Sequence, residues 1–351
     1  MNRNNVNGRK INYGLQILRI LLSFWIVVIH SYYFKNKKYL KKQFDEKMFH
    51  VPTFILISFY FFYNYLEGRD KSKIIQRFKR LLTPYIIWPF IFLIINNSLK
   101  KLFGINNSNI DLCLKRLISL KDYFYQIILS SKYYPPFWFI NVLLFLSLIF
   151  IIISYTFKNS FLLVIQLFGF FSYILHYSGI YNFLRKKNIF ELCLVLVIQM
   201  IPAAVIGLSF GSINLIKALK KCYSRFRIVL MSYLLLLCLI KFDIFQPHDG
   251  FLYQKVELNT IGAIDLFILF SLLPFENIKS NNFEFVIRLI SNNTGGIYYI
   301  HNYIRGYLVK LISPIRNGIF LGSVLLYINS YLFCFLGSKI FRNNLLRFLF
   351  V

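Results

Sequence analysis

The first apolar segment of the chain, residues 14–33, reads GLQILRILLSFWIVVIHSYY. Its length matches the ~20 residues that a helix needs to cross the hydrocarbon core of a bilayer. Two ionisable side chains interrupt the segment, Arg19 and His30. The segment therefore predicts a membrane-spanning helix with two polar groups in it.

Nine further apolar segments follow, so the sequence predicts about ten membrane-spanning helices. They lie near residues 50–66, 82–97, 136–156, 161–178, 190–210, 228–242, 259–274, 293–312 and 317–340. The expected fold class is all-α, an integral membrane helix bundle. Its transmembrane domain covers 14–340, between a cytoplasmic N-terminal segment (1–13) and a cytoplasmic tail (341–351). Because no connection is long enough for a second catalytic domain, the function rests with the bundle.

The composition favours a membrane protein over a soluble enzyme or a nucleic-acid binder. Of the 351 residues, 57% are hydrophobic and only 15% are charged, whereas soluble domains carry about 25% charged residues. The 41 Lys and Arg residues outnumber 13 Asp and Glu residues, but they are scattered between apolar segments instead of gathered in one polar domain. We therefore expect a lipid bilayer, and no nucleic acid, as partner.

The orientation rests on the basic loops. With the N-terminus placed inside, the inner and outer loops carry nearly equal numbers of Lys and Arg. The tight basic turns RDKSKIIQRFKR (69–80) and KALKKCYSRFR (217–227) are typical of cytoplasmic loops. We therefore expect a multi-pass protein of the plasma membrane with both termini cytoplasmic.

The cysteines give no sign of a metal site or a disulfide framework. The five are Cys113, Cys193, Cys222, Cys238 and Cys334. They show no CxxC spacing and no accompanying histidines, and most lie in apolar segments. No metal cofactor is expected.

Arg19 and His30 share one face of the predicted first helix. Their separation of 11 residues is within about 20° of three helical turns and gives a rise of ~16 Å. Ionisable groups inside a membrane helix are costly and are often functional. A guanidinium suits phosphate binding and an imidazole suits proton transfer. The alternative is that Arg19 extends to the membrane surface and His30 only bonds a carbonyl.

Two further groups of polar residues are candidates. In NNTGGIYYIHNYIRGYLVK (292–310), His301 lies four residues before Arg305 and one turn after Tyr298. This histidine could instead join helices by a structural hydrogen bond. In RFKRLLTPYIIW (77–88), Arg77 and Arg80 would form a phosphate clamp at the mouth of the bundle. The alternative for these arginines is ordinary anchoring on the cytoplasmic side.

Taken in order, six segments resemble acyltransferase family 3, the multispanning membrane O-acyltransferases of bacterial cell-surface polysaccharides. LQILRILLSFWIVVIH (15–30) keeps the family's spacing of a basic residue, ten residues and a histidine at Arg19 and His30. The others are VPTFILISFYFF (51–62), RFKRLLTPYIIW (77–88), PPFWFINVLLF (135–145), IPAAVIGLSFG (201–211) and GGIYYIHNYI (295–304). The matches run from residue 14 to about residue 304, so the resemblance covers most of the chain.

The sequence departs from the family pattern at three positions. Gln16 stands where the family often has Asp, Phe59 where Gly is usual, and Pro136 where His is usual. The other matched positions are Ser58, Tyr60, Arg77, Arg80, Pro84, Tyr85, Trp138, Gly207, Gly211, Tyr298 and His301. The departures bear mainly on the identity of the substrate.

The resemblance implies transfer of an acyl group, most simply acetyl, from acetyl-coenzyme A or another acyl-coenzyme A. The acceptor is a hydroxyl group of a cell-surface polysaccharide or of its lipid-linked precursor, and polysaccharide-synthesis proteins are further expected partners. In this mechanism His30 is the catalytic base or acyl relay. Arg19 supports catalysis and binds the coenzyme phosphates together with Arg77 and Arg80. The substrate pocket is lined by Ser58, Tyr60, Trp138, Tyr298 and His301.

Two functions of other classes stay open from the sequence alone. One is a polysaccharide exporter or flippase, and the other is a non-catalytic membrane subunit of a polysaccharide-synthesis complex. Transporters commonly contain internal repeats with broken helices, and the two halves of this chain show no convincing self-similarity. The enzyme is therefore the favoured prediction.

Overall fold

The computed structural model describes residues 12–31, 49–103, 138–177, 189–221, 230, 252–273, 281–311 and 319–341. Within these residues all regular secondary structure is α-helical, which confirms the predicted all-α class. The helices are α1 (Tyr13–Ser31), α2 (His50–Glu67), α3 (Lys71–Phe103), α4 (Trp138–Thr156), α5 (Phe161–Tyr177), α6 (Ile189–Ser212), α7 (Leu215–Lys221), α8 (Leu252–Leu272), α9 (Asn281–Asn292), α10 (Thr294–Leu311) and α11 (Ile319–Ile340).

The predicted membrane segments are confirmed in part. In the described part of the chain, three helical segments are long and apolar enough to cross a membrane: Tyr13–His30, Trp138–Thr156 and Leu321–Ile340. Shorter apolar helices cover Phe161–Leu175, Leu196–Ser212 and Thr260–Leu272. The count of ten is not confirmed, and the predicted span at 228–242 lies outside the described residues apart from residue 230.

Helix α5 shows why the bundle belongs in lipid. Many of its apolar side chains point outward, and Leu163, Phe170 and Phe171 are 58%, 60% and 59% exposed. Large apolar side chains clustered on an outer surface are unfavourable in water. In a bilayer the same side chains contact acyl chains, so α5 is a lipid-facing helix.

Helix α3 begins well before the apolar segment predicted at 82–97. It is 33 residues long, and only residues 68–70 form the turn before it. Asp70 caps its start, because the carboxylate accepts the backbone N–H of Lys73 at 3.1 Å and pairs with the Lys73 Nζ at 2.7 Å. The hydrogen bond from the Lys73 side chain lowers the pKa of the Asp70 carboxyl. The basic segment at 67–81 is therefore mostly helix instead of a loop.

A short amphipathic helix, α9, lies between the apolar segments predicted at 259–274 and 293–312. Glu284 and Arg288 form an ion pair one turn apart, and Arg288 donates to the Tyr13 hydroxyl at 3.5 Å, at the start of α1. Phe285 and Val286 are 61% and 46% exposed. Exposed apolar side chains beside an ion pair are typical of a helix that lies at the membrane surface.

The most extensive helix pair in the described part of the chain joins α2 and α6. Gly207 and Gly211 lie one turn apart and face α2. A Cβ at Gly207 would lie 2.5 Å from the backbone oxygen of Leu56, and a Cβ at Gly211 would lie 2.6 Å from the Cβ of Tyr63. Small residues four apart let membrane helices approach closely. We call this contact the α2–α6 seam.

Helix α1 packs against α8, α9, α10 and α11. On the side of α8, its residues Leu15 and Leu18 are buried in one apolar cluster with Phe267. On the side of α10 the contact also includes polar groups. We call this contact the α1–α10 seam, and its polar residues are Arg19, His30, Thr294, His301 and Arg305.

Candidate functional site

Arg19 occupies the end of the α1–α10 seam nearer the start of α1. Its guanidinium donates to the side-chain oxygen of Gln16 at 3.3 Å and to the hydroxyl of Thr294 at 3.2 Å. Thr294 in turn donates to the backbone oxygen of Ser291 at 2.9 Å. Among the residues that the structure describes, no carboxylate pairs with Arg19. A cation held only by neutral groups in a helix bundle suits an anionic ligand.

Arg80 of α3 is the second cation of this region. It is exposed and acts electrostatically on Arg19. Like charges repel, and the start of α10 at Thr294 adds the positive end of its helix dipole. The charge of Arg19, the charge of Arg80 and the dipole of α10 all favour an anion at this end of the seam.

Arg77 is held inside the bundle, in contrast to Arg80. Its Nη2 donates to the hydroxyl of Ser58 on α2 at 2.9 Å, and its Nε donates to the hydroxyl of Ser147 on α4 at 3.1 Å. The guanidinium also lies over the ring of Phe62, 4.3 Å from the centroid, and 5.3 Å from that of Phe59. Arg77 therefore joins α3 to two neighbouring helices.

Two imidazoles meet at the other end of the α1–α10 seam. The ring centroids of His30 and His301 are 5.1 Å apart, with 42° between the ring planes. His301 is fully buried, and its Nδ1 bonds the backbone oxygen of Ile297 at 3.0 Å. The guanidinium of Arg305 donates to the backbone oxygen of His30. The contacts bring together the two histidines that the sequence predicted as site residues.

A third histidine, His50, lies close to this pair. It is the first residue of α2, is buried, and interacts electrostatically with His30. Phe49 packs on its ring at 6.3 Å and on the ring of Trp25 at 5.9 Å, centroid to centroid. Phe49 therefore links His50 to Trp25 of α1.

A row of aromatic rings extends the site from His301 toward α4. The centroid of Tyr298 lies 6.2 Å from that of His301 and 5.3 Å from that of Phe139. Trp138 follows Phe139 at 6.3 Å. The structure thus links Tyr298 and Trp138, both predicted to line the substrate pocket, to the two histidines.

The other two predicted pocket residues lie elsewhere. Ser58 accepts a hydrogen bond from Arg77, and Tyr60 packs against Phe267 of α8 with 5.1 Å between the ring centroids. These two contacts join Ser58 to α3 and Tyr60 to α8. The predicted site is therefore divided into an arginine region and a histidine region, with Ser58 beside Arg77.

Sequence reasoning assigned no function to His50, Thr294 or Ser147. The sequence NTGG at 293–296 is typical of the start of a helix, and it was the available signal for Thr294. Ser147 carries no such signal, because single serines are common in apolar helices. Its role depends on which helix faces Arg77, and that is a property of the packed bundle.

The fold and the site define a helical membrane protein whose interior carries ionisable groups suited to chemistry. The chain matches the acyltransferase domain of acyltransferase family 3 over residues 12–342, nearly its whole length, and it belongs to that family. The predicted resemblance is confirmed, and the family supports acyltransferase activity in a membrane. Neither the curated proteins nor the solved structures contain a match to this chain.

Proposed function

We propose that the protein transfers an acyl group, most simply acetyl, from acyl-coenzyme A to a hydroxyl group of a cell-surface polysaccharide or of its lipid-linked precursor. The observation that carries the proposal is the α1–α10 seam, with a guanidinium at one end and two imidazoles at the other. Arg19 and His30 are separated by ~16 Å along α1. The pantetheine arm of coenzyme A, which separates its phosphates from the thioester, is an extended chain of that order of length.

The donor phosphates bind at the arginine end in this proposal. Arg19 and Arg80 supply two cations without a carboxylate partner among the described residues, and the start of α10 adds its helix dipole. Arg77 supports the clamp, because its bonds to Ser58 and Ser147 fix the part of α3 that carries Arg80. The sequence predicted a phosphate clamp of Arg77 and Arg80. In this proposal Arg19 and Arg80 bind the phosphates, and Arg77 holds α3 in position.

The acceptor binds at the histidine end. His30 is less buried than His301 and is therefore the more accessible of the two imidazoles, and an imidazole is suited to take a proton from a hydroxyl. Trp138 and Tyr298 offer aromatic faces on which a sugar ring packs. His30 is therefore assigned the role of base, and the aromatic row is assigned to the glycan.

The reaction is tested with purified protein in lipid nanodiscs, radiolabelled acetyl-coenzyme A and a panel of cell-surface glycans and lipid-linked precursors. We expect label on one glycan class with the wild-type protein and none with His30→Ala. Acyl-coenzyme A of longer chain length, run in parallel, identifies the acyl group. Folded wild-type protein that labels no acceptor but moves a glycan across a vesicle membrane would instead support the exporter.

The proposal also fixes an orientation, because acyl-coenzyme A is cytoplasmic. The start of α3 must then lie on the cytoplasmic side of the plasma membrane, as must the N-terminal end of α1, and an even number of spans places the C-terminus on the same side. Single cysteines at Ser72 and Asn106, in a protein without its five native cysteines, test this on intact cells with a membrane-impermeant thiol reagent. We expect label at position 106 and none at position 72, and the reverse pattern would exclude a cytoplasmic donor at Arg19.

A further inference from the structure

The hydrogen bond of His301 fixes the state of its ring. A backbone carbonyl only accepts hydrogen bonds, so the Nδ1 that bonds the oxygen of Ile297 carries the hydrogen. A fully buried imidazole beside the guanidinium of Arg305 is neutral, since a second charge there costs too much free energy. The Nε2 of His301 therefore carries a lone pair. Among the described residues this buried nitrogen has no hydrogen-bond partner.

His30 is placed to donate a hydrogen bond to that nitrogen. Two imidazoles joined by an N–H···N hydrogen bond of about 2.9 Å have ring centroids about 5 Å apart. The centroids of His30 and His301 are 5.1 Å apart. The separation of the two rings thus matches that of a hydrogen-bonded pair, and rotation of the His30 ring about its own side-chain bonds changes which of its nitrogens faces His301.

We infer that His301 is a positioning residue that holds His30 in its reactive tautomer. The neutral Nε2 of His301 accepts the N–H of the His30 nitrogen that faces it. The second nitrogen of His30 is then left with its lone pair, which is the form a general base requires. Arg305 assists by bonding the backbone oxygen of His30 at the end of α1. This inference rests on the proposed function for the identity of the reaction, but the tautomer itself is a property of the two rings.

Burial explains why the two histidines have different roles. His301 is 0% exposed, so a substrate cannot reach its Nε2, whereas His30 is only partly buried. The same logic holds wherever one group orients a catalytic imidazole from behind. Here a second imidazole, itself fixed by a carbonyl, takes the orienting position.

The proposed step balances without any further reactant. The free nitrogen of His30 takes the proton of the acceptor hydroxyl while the oxygen bonds the carbonyl carbon of the thioester. The carbon–sulfur bond then breaks, and the leaving thiolate takes the proton back from His30 as coenzyme A departs. His30 ends neutral in its starting tautomer, and His301 keeps its hydrogen on Nδ1 throughout.

Two substitutions of His301 separate the functions of its two nitrogens. His301→Gln places an amide oxygen near the position of Nε2 and keeps an acceptor for His30. His301→Asn places an amide N–H near the position of Nδ1 and keeps only the bond to Ile297. Tyr299→Phe, at a buried neighbour on the same helix, is the matched control for disturbance of α10.

We expect kcat to fall about a hundredfold in His301→Asn and less than about tenfold in His301→Gln, with KM for donor and acceptor nearly unchanged in both. In nanodiscs containing ¹⁵N-histidine protein, the His30 signal, identified by its loss in His30→Gln, should show one tautomer in the wild type and in His301→Gln. It should show a mixture in His301→Asn. Tyr299→Phe should match the wild type in both measurements.

The inference is wrong if His30 shows mixed tautomers in the wild-type protein. This measurement does not depend on whether any His301 variant folds. It is also wrong if the two His301 variants lose kcat equally with the tautomer unchanged, because that result indicates packing alone. A wild-type protein with a single His30 tautomer that depends on His301, but with no acyl transfer, would retain the inference and reject the proposed function.

Discussion

The α2–α6 seam and the α1–α10 seam bury helix surface in opposite ways. At the first, glycines bring backbones together, and the nearest atoms to Gly207 belong to the backbone of Leu56. At the second, the buried groups include a guanidinium, a threonine hydroxyl and imidazoles, and one ring nitrogen of His301 has no partner among the described residues. Unpaired polar groups are costly in a membrane protein. The difference indicates that the α2–α6 seam holds the bundle together, and it supports the proposal that the α1–α10 seam binds a ligand.

Gly207→Leu should produce the largest effect, because a larger side chain forces α2 and α6 apart at the seam that holds the bundle together. Even a Cβ there would lie 2.5 Å from a backbone oxygen of α2, and a backbone atom cannot move aside as a side chain does. We expect loss of folded protein, measured as the monodisperse fraction in detergent. Phe170→Leu, at a lipid-facing side chain that is 60% exposed, is the control and should leave the yield unchanged. Normal yield from Gly207→Leu would show that the seam is not tightly packed.

His30→Ala should have the opposite signature, with activity lost and the fold retained. Removal of a general acid–base catalyst costs about 10²–10⁴-fold in rate. One side chain of intermediate burial contributes little to a bundle of many helices, so the thermal midpoint should change little. Acyl transfer and thermal unfolding are measured on the same preparation. His248→Ala, at a histidine outside the predicted membrane segments, should retain full activity. Wild-type turnover by His30→Ala would show that His30 has no role in the mechanism.

Arg19→Ala should weaken donor binding by about 10- to 100-fold, because a charge-assisted hydrogen bond to phosphate is worth about 1.5–3 kcal/mol. Arg19→Lys should recover part of the loss, since it keeps the charge without the planar fork. Titration with a non-hydrolysable acyl-coenzyme A analogue measures the affinity. The acceptor KM should stay constant. Equal donor affinity in Arg19→Ala and wild type would place the phosphates elsewhere.

Arg77→Ala separates the two arginine roles and should have the smallest effect on the reaction. Loss of its bonds to Ser58 and Ser147 should destabilise the protein by about 2 kcal/mol, seen as a lower thermal midpoint. Donor affinity should fall far less than in Arg19→Ala. Arg77→Met keeps the volume and tests whether charge matters. If Arg77→Ala weakens the donor as much as Arg19→Ala while the midpoint is constant, Arg77 binds ligand directly.

The helices could largely be predicted because hydropathy is a local property of the sequence. The segments predicted at 14–33 and 136–156 correspond to α1 and α4. Helix ends were predicted less well. The polar start of α3 and the amphipathic α9 contain too many charged residues to register as apolar segments, although capping by Asp70 and an ion pair in α9 make both helical.

The sequence predicts which site residues share a face of one helix, but it does not predict which residues of different helices meet. The face shared by Arg19 and His30 follows from helical geometry, and so does the face shared by His301 and Arg305. The bond from Arg19 to Thr294 joins residues 275 positions apart, and it depends on how α1 and α10 are shifted along each other. The same reason explains Tyr60, which matched the family pattern but packs on α8.

The length of α3 has a kinetic consequence. At 33 residues the helix measures ~50 Å, against ~30 Å for the hydrocarbon core, so its basic first turns stand in water. Lys71, Lys79 and Arg80 are exposed there. Exposed cations attract an anion across a Debye length of about 8 Å at physiological salt and accelerate its diffusional encounter. The association rate of an anionic ligand should therefore fall steeply with ionic strength while the rate of the chemical step stays constant.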